Sequence, residues 1–136
     1  MNHVKVIPLR ERANTHAQGF RRQTIFNETQ TQGQISLEYV ILSTGAESSP
    51  HIHVGTHTVV YTLQGKVKVY YGEKLQHHVK VGPRDSVYIP PDVLHYVVNE
   101  DEQDMVAVVA RTPGKHLVKE VEQAITFLPT HNLYIK

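Results

Sequence analysis

The chain contains no cysteine and no tryptophan, carries almost no net charge and has no long apolar run. The missing thiol excludes disulfides, zinc–thiolate sites, iron–sulfur clusters and thiol nucleophiles together, so any transition metal must be held by nitrogen and oxygen. A formal charge of +1, with basic residues scattered along the chain, gives no electrostatic basis for binding nucleic acid or an anionic membrane. No segment approaches the ~18–20 consecutive apolar residues of a membrane span, and the opening "MNHVKVIPLRER" lacks the apolar core of a secretory signal. A cytoplasmic location is the resulting expectation.

What is present is an ordinary globular composition, with 40% hydrophobic and 20% charged residues in 136, enough to bury a core without disulfides or metal. From residue 20 onward the chain alternates apolar and polar side chains in short runs rich in Val and Tyr ("HTVVYTLQG", "KVKVYYG", "SVYIPPD", "MVAVVAR"), each closed by a turn residue or a break in the pattern. Period two with frequent turn signals predicts an antiparallel all-β barrel or sandwich. Pro90 and Pro91 mark the end or edge of a strand, because proline cannot donate to a ladder. After "RTPGK" the period changes: Leu117, Val121 and Ala124 lie four and three apart, predicting one short amphipathic C-terminal helix. The organisation expected is a single domain over 1–136. It has N-terminal strands or an arm at 1–34, a core barrel at 35–111, and the helix and tail at 112–136. The last residues could form a final strand or an arm on a partner subunit.

Histidine is abundant, ten in all, and three fall in the stretch "SPHIHVGTHTVV". His51 and His53, two apart on a strand, point the same way and can share one ion. His95, just after "IPPDVL", opens a later strand that can lie opposite them.

With these residues the chain resembles the single-domain cupins. That family's first motif is Gly, five residues, His-x-His, three or four residues, Glu, six residues, Gly; here Gly45, His51, His53 and Gly65 match. The second is Gly, five residues, Pro-x-Gly, two residues, His, three residues, Asn; here Pro90, His95 and Asn99 match, while Arg84 and Asp92 replace the two glycines. The resemblance implies a jelly-roll barrel with a metal in its mouth, often a homodimer, and His51, His53 and His95 as three ligands.

The family's glutamate is missing. Counting back from Gly65 puts Thr58 in its place; counting three residues past His53 reaches His57 instead. Alternation groups His57 with Val59, Tyr61 and Leu63, the more apolar set and hence the expected core face, and Gly55 could allow a bulge that turns His57 inward. The family's register turns Thr58 inward instead. His57 is expected as a fourth ligand, with Thr58 the alternative.

Loss of the carboxylate favours Fe, Ni, Cu or Zn over Mn and removes the nearest candidate base. The expected function is a metal-binding cupin of oxygenase type acting on a small organic substrate. The alternatives are a non-redox metal-dependent lyase, isomerase or cyclase, and a binding cupin without turnover. The remaining candidates read as structural or solvated: His77 and His78 as a surface hairpin pair, Asn99 as a turn residue, and Tyr39, Tyr61 and Tyr88 as core or interface. Arg21 and Arg22 read as a solvated pair, with an anion-binding role open.

Overall fold

The computed structural model describes residues 4–8, 14–27, 29–113 and 117–120, and their alternating sequence forms strands throughout. These are β1 (Asn14–Ala17), β2 (Phe20–Phe26), β3 (Ser36–Leu42), β4 (His51–Val54), β5 (Thr58–Gln64), β6 (Val67–Tyr71), β7 (His77–Val81), β8 (Ser86–Ile89), β9 (His95–Val98), β10 (Met105–Arg111) and β11 (Leu117–Glu120). They make two antiparallel sheets, a six-stranded one in the order β1-β2-β3-β10-β5-β8 and a five-stranded one in the order β11-β4-β9-β6-β7. Short connections that cross from one sheet to the other bring sequence-distant strands side by side, giving a jelly-roll barrel.

Each wall turns one side of its strands inward. Phe20, Val40, Leu42, Met105, Ala107 and Val109 from the six-stranded sheet meet Val67, Val69, Val81 and Val97 from the other in one buried cluster. Burial of these branched and aromatic side chains, each worth roughly 1.5–3 kcal/mol, holds the two walls together. Strand β9 is buried along its whole length, because Leu75 and Leu94 cover the outer side of Tyr96 and Val98.

Turns hold the motif residues in place. Gly65, between β5 and β6, has φ +85°, and a Cβ there would stand 2.7 Å from the carbonyl oxygen of Asp104; only glycine fits both demands. Pro90 follows directly on β8, as its missing N–H requires. Asn99 is fully buried. Its Nδ2 donates to the carbonyls of Leu42 (3.0 Å) and Gln103 (2.9 Å), and its Oδ1 accepts from the N–H of Asp101 (3.0 Å). It is a turn residue with every side-chain demand met.

The C-terminal expectation needs correction where it can be compared. Leu117–Glu120 is extended, not helical, and pairs antiparallel with β4, Leu117 opposite Val54 and Glu120 opposite His51. The open edge of β4 offers a ladder of unpaired backbone groups, and pairing there outweighs a helical period sustained over few residues. The rest of the expected helix, with Val121 and Ala124, lies outside the described residues, as do His3, His116, His131 and the tail.

Candidate metal centre

Strand β4 places His51 and His53 on its inner side, and β9 pairs His51 directly opposite His95. One ligand atom from each of the three residues can be chosen so that all lie within 4.8 Å of one another. Ring centroids are 4.3 Å apart for His51 and His95, 4.8 Å for His51 and His53, and 5.4 Å for His53 and His95. All three side chains are buried.

Backbone carbonyls select their tautomers. His51 Nδ1 lies 2.6 Å from the carbonyl oxygen of Ser49, and His95 Nδ1 lies 2.9 Å from that of Val93. A carbonyl can only accept, so both Nδ1 atoms carry the proton and Nε2 is left with a lone pair.

The environment keeps these rings neutral. Burial, then His95 and the guanidiniums of Arg22 and Arg111, pull His51 down to about 3, against the opposing hydrogen bond to Ser49. Burial, then Arg111, His51, His95 and Arg22, pull His53 down to about 2. Burial also lowers His95, with Arg111 adding to it against the bond to Val93. Three converging, deprotonated imidazoles on rigid strands form the donor set that a divalent transition ion takes.

His57 is not brought into this group. It lies just before β5, exposed, with Nδ1 2.7 Å from Tyr88 Oη and its ring stacked 6.0 Å from that of Tyr88. The irregularity that would turn it inward is absent at that end of the strand. Thr58 through Tyr61 pair without a break against Ile89 through Ser86, and the register shift of β5 against β10 falls at Val106/Ala107. Thr58 instead faces the interior, 2% exposed, and its Oγ1 has no hydrogen-bond partner. The expected four-histidine arrangement is therefore replaced by three histidines beside Thr58. Alternation misled because the apolar set Val59, Tyr61 and Leu63 is the outer side of β5, while Thr58, Val60 and Thr62 line the interior.

A small chamber of about 60 Å³ is lined by His51, His53, His95 and Thr58. A larger cavity of about 550 Å³ opens on the side of β1 and β2. Arg22, His53 and Arg111 line both. The pair at 21–22 is thus split: Arg21 is exposed and bonds Asp104 at 3.4 Å, whereas Arg22 is buried. Arg22 Nη1 donates to Glu38 Oε1 at 3.1 Å and its Nη2 to Gln18 Oε1 at 3.1 Å. Arg111 bonds the same oxygen of Glu38. Burial lowers the pKa of Arg22 and Glu38 opposes that.

Arg111 and Glu38 were not singled out from the sequence, although the signal exists. Arg22 shares a strand side with Phe20, Glu38 with Val40 and Leu42, and Arg111 with Val109 and Ala107, all core residues. His77 and His78 are exposed as expected, their rings tilted against Tyr71 and Tyr70.

A two-walled antiparallel barrel with a histidine cluster between β4 and β9 defines an all-β jelly-roll protein with a possible metal site. Residues 38–111 match the family model described as the cupin domain, and the chain belongs to that family. No curated protein matches the chain. Among solved structures, the polyketide cyclase RemF from Streptomyces resistomycificus is similar, with TM-score 0.71 and 18% identity over 88% of this chain and 86% of that one. A predicted oxalate decarboxylase from Thermotoga maritima superposes with TM-score 0.68 and 14% identity, covering 80% and 99%. Bacillus subtilis oxalate decarboxylase, whose Mn(II) centres have been characterised, gives TM-score 0.71 and 20% identity over 92% of this chain but only 34% of its own. These likenesses establish the fold. Among the described residues no helix is long and apolar enough to cross a membrane.

Proposed function

We propose that the chain is a metal-dependent cupin enzyme that binds one divalent transition ion through His51, His53 and His95, acts on a small organic substrate, and uses dioxygen. The donor set carries this reading: three neutral imidazoles, with Thr58 where the family places glutamate. Nitrogen donors without a carboxylate suit iron, copper, nickel or zinc better than manganese. Bound there, iron or copper would supply Lewis acidity and an electron path to dioxygen, whereas zinc would supply Lewis acidity alone.

The protein's own residues have limited tasks. Ser49 and Val93 fix the rings of His51 and His95. Val60, Val87, Ile89 and Val97 line the chamber with apolar surface that excludes water. No acidic side chain lines the chamber among the described residues, so the chain offers no carboxylate base there. This favours a reaction with little proton shuttling over an isomerisation.

Untagged protein is expected to contain one metal ion per chain by elemental analysis. His51→Ala loses that ion and His57→Ala retains it. Iron- or copper-loaded protein then consumes dioxygen with at least one member of a screen of diketones, flavonols and thiols. Turnover by zinc-loaded protein without oxygen would overturn the oxygen-dependent reading. It would favour the second one, a non-redox cyclase, lyase or isomerase, which has the near full-length likeness to RemF in its support.

We also propose a homodimer formed through the outer side of the six-stranded sheet. Leu37, Ala110, Val59 and Tyr88 lie in one row across β3, β10, β5 and β8, and Tyr39, Val108 and Tyr61 in the next. Val59, Tyr61, Leu63 and Tyr88 are each 44–55% exposed, an apolar patch of the kind a partner covers. Sedimentation of wild type as a dimer and of Tyr61→Asp as a monomer is expected; a monomeric wild type would end this proposal.

A further inference from the structure

Arg22 and Arg111 stand where the outer cavity meets the histidine chamber, each lining both spaces together with His53. They come from β2 and β10 and are tied by one carboxylate, Glu38 of β3, whose Oε1 receives a bond from each. Two guanidiniums against one carboxylate leave an uncompensated positive charge. The side chains are 6%, 15% and 17% exposed for Arg22, Arg111 and Glu38, so water screens this charge poorly. The Nε–H groups of both arginines are buried with no hydrogen-bond partner. Buried donors on a charged group are costly to leave unmet, so neither arginine is fully satisfied by its protein partners.

We propose that Arg22 and Arg111 form a carboxylate-binding subsite beside His53, and that the chain's substrates are small organic acids. The guanidinium fork presents parallel N–H donors to a planar carboxylate, which makes arginine the residue suited to that group. Glu38 holds the two forks together and offsets half their charge, which keeps the site from trapping its ligand. The cavity outside is large enough for a small organic acid. Its walls are mostly uncharged polar and apolar, including Thr15, Thr24, Ser36 and Phe26; the carboxylate is thus the recognised group and the rest of the molecule is loosely enclosed. The subsite rests on the metal reading only for what lies beyond His53; the arginines and their geometry stand without it.

The test uses metal-free protein, so that no anion can bind through an ion. Acetate, succinate and benzoate are titrated calorimetrically, with benzamide and inorganic phosphate as comparisons. At least one carboxylate is expected to bind about tenfold or more tightly than benzamide, which has the ring of benzoate without the charge. Arg111→Met is expected to weaken that binding by about tenfold, and Arg111→Lys, which keeps the charge and loses the fork, by less. Glu38→Gln frees both guanidiniums and is expected to strengthen it severalfold. Opposite signs separate a recognition role from a loss of folding, which would weaken all variants alike. The proposal is overturned if no carboxylate binds at millimolar concentration, if benzamide matches the best acid, if phosphate binds more tightly than every acid, or if Glu38→Gln and Arg111→Met move affinity the same way. Metal content of Arg111→Met, measured separately, is expected to equal that of wild type, so a failure here leaves the metal centre standing and the reverse.

Discussion

The five-stranded wall of the barrel presents His51, His53 and His95 to the interior, while the six-stranded wall presents Arg22, Arg111 and Glu38. The histidines and Arg22 are buried and Arg111 and Glu38 largely so, and burial disfavours charge in each set. An imidazole can answer by giving up its proton, and all three histidines are pushed toward neutrality. A guanidinium cannot, because its proton is held too tightly; the charged wall therefore needs Glu38. The arginines in turn help lower the histidines facing them, so one wall's permanent charge keeps the other wall's lone pairs free for a metal.

The largest expected effect comes from breaking the neutral wall with acid. In the unfolded chain each histidine titrates near 6.5; in the folded chain His51 and His53 do so only at about 3 and about 2, and His95 is lowered as well. Below pH 6.5 the unfolded state therefore takes up protons that the folded state refuses. The stability of metal-free protein is full above that pH and is lost as the pH falls toward the folded values. His51 and His53 each contribute a slope of about 1.4 kcal/mol per pH unit, roughly 3 together, and His95 steepens it in the same direction. Urea unfolding of metal-free protein between neutral pH and about pH 5 measures it, and His51→Ala is expected to remove its own share of the slope. A stability that stays flat through this window would mean the rings accept protons while folded.

Breaking the charged wall comes next. Glu38→Ala leaves two buried guanidiniums facing each other without their shared carboxylate, and loss of one partner of a buried ion pair typically costs about 3–5 kcal/mol. Urea unfolding at neutral pH is expected to show a loss of that size. The partial exposure of Glu38, at 17%, places the expectation toward the lower end. A cost below about 1 kcal/mol would show that water, not Glu38, balances the arginines.

The two walls also differ in how legible they were. Two motif fragments and a resemblance carried His51, His53 and His95 from sequence to site, together with the jelly-roll architecture. The charged wall was hidden by a sound general rule, that arginine and glutamate are almost never fully buried. The face-sharing of Arg22 with Phe20 and of Arg111 with Val109 argued the other way. His57 was misjudged for a related reason. Period two puts the apolar set of β5 in the core, but the core side of that strand carries Thr58 and Thr62 around Val60, and its more apolar side is left half-exposed. At Leu117 the pattern was read as helical where an open strand edge decided the outcome.

The seam between the walls offers a smaller test. Thr58 lies opposite Arg111 in the register of β5 and β10, and its buried hydroxyl has no partner. Thr58→Val keeps the shape and removes the unmet group, so unfolding free energy is expected to rise by about 1 kcal/mol in metal-free protein. Metal content is expected to stay at the wild-type level. A fall in metal content would instead make the hydroxyl a ligand and the centre four-coordinate on the protein side.

The smallest effect leaves both walls alone and sharpens the comparison as a control. Arg84 and Asp92 occupy the two positions where the family's second motif carries glycine, and both keep the backbone that glycine supplies, with φ of 70° and 66°. A side chain in this left-handed region costs about 1–2 kcal/mol, and glycine returns roughly 0.5–1 of that as greater freedom of the unfolded chain. Arg84 is exposed and only its backbone is engaged, its N–H donating to the Thr62 carbonyl at 2.8 Å. Arg84→Gly is therefore expected to stabilise by about 0.5 kcal/mol. Asp92 differs, because its Oδ1 accepts from the N–H of Gly55 at 3.0 Å while its own N–H donates to the His53 carbonyl at 3.1 Å. The side-chain bond ties the turn before His95 to the end of β4. Asp92→Gly relieves the same strain but loses that tie, worth about 1 kcal/mol, and is expected to destabilise slightly. Urea unfolding of the two variants side by side measures the difference in sign; two equal gains would mean the carboxylate of Asp92 holds nothing in place.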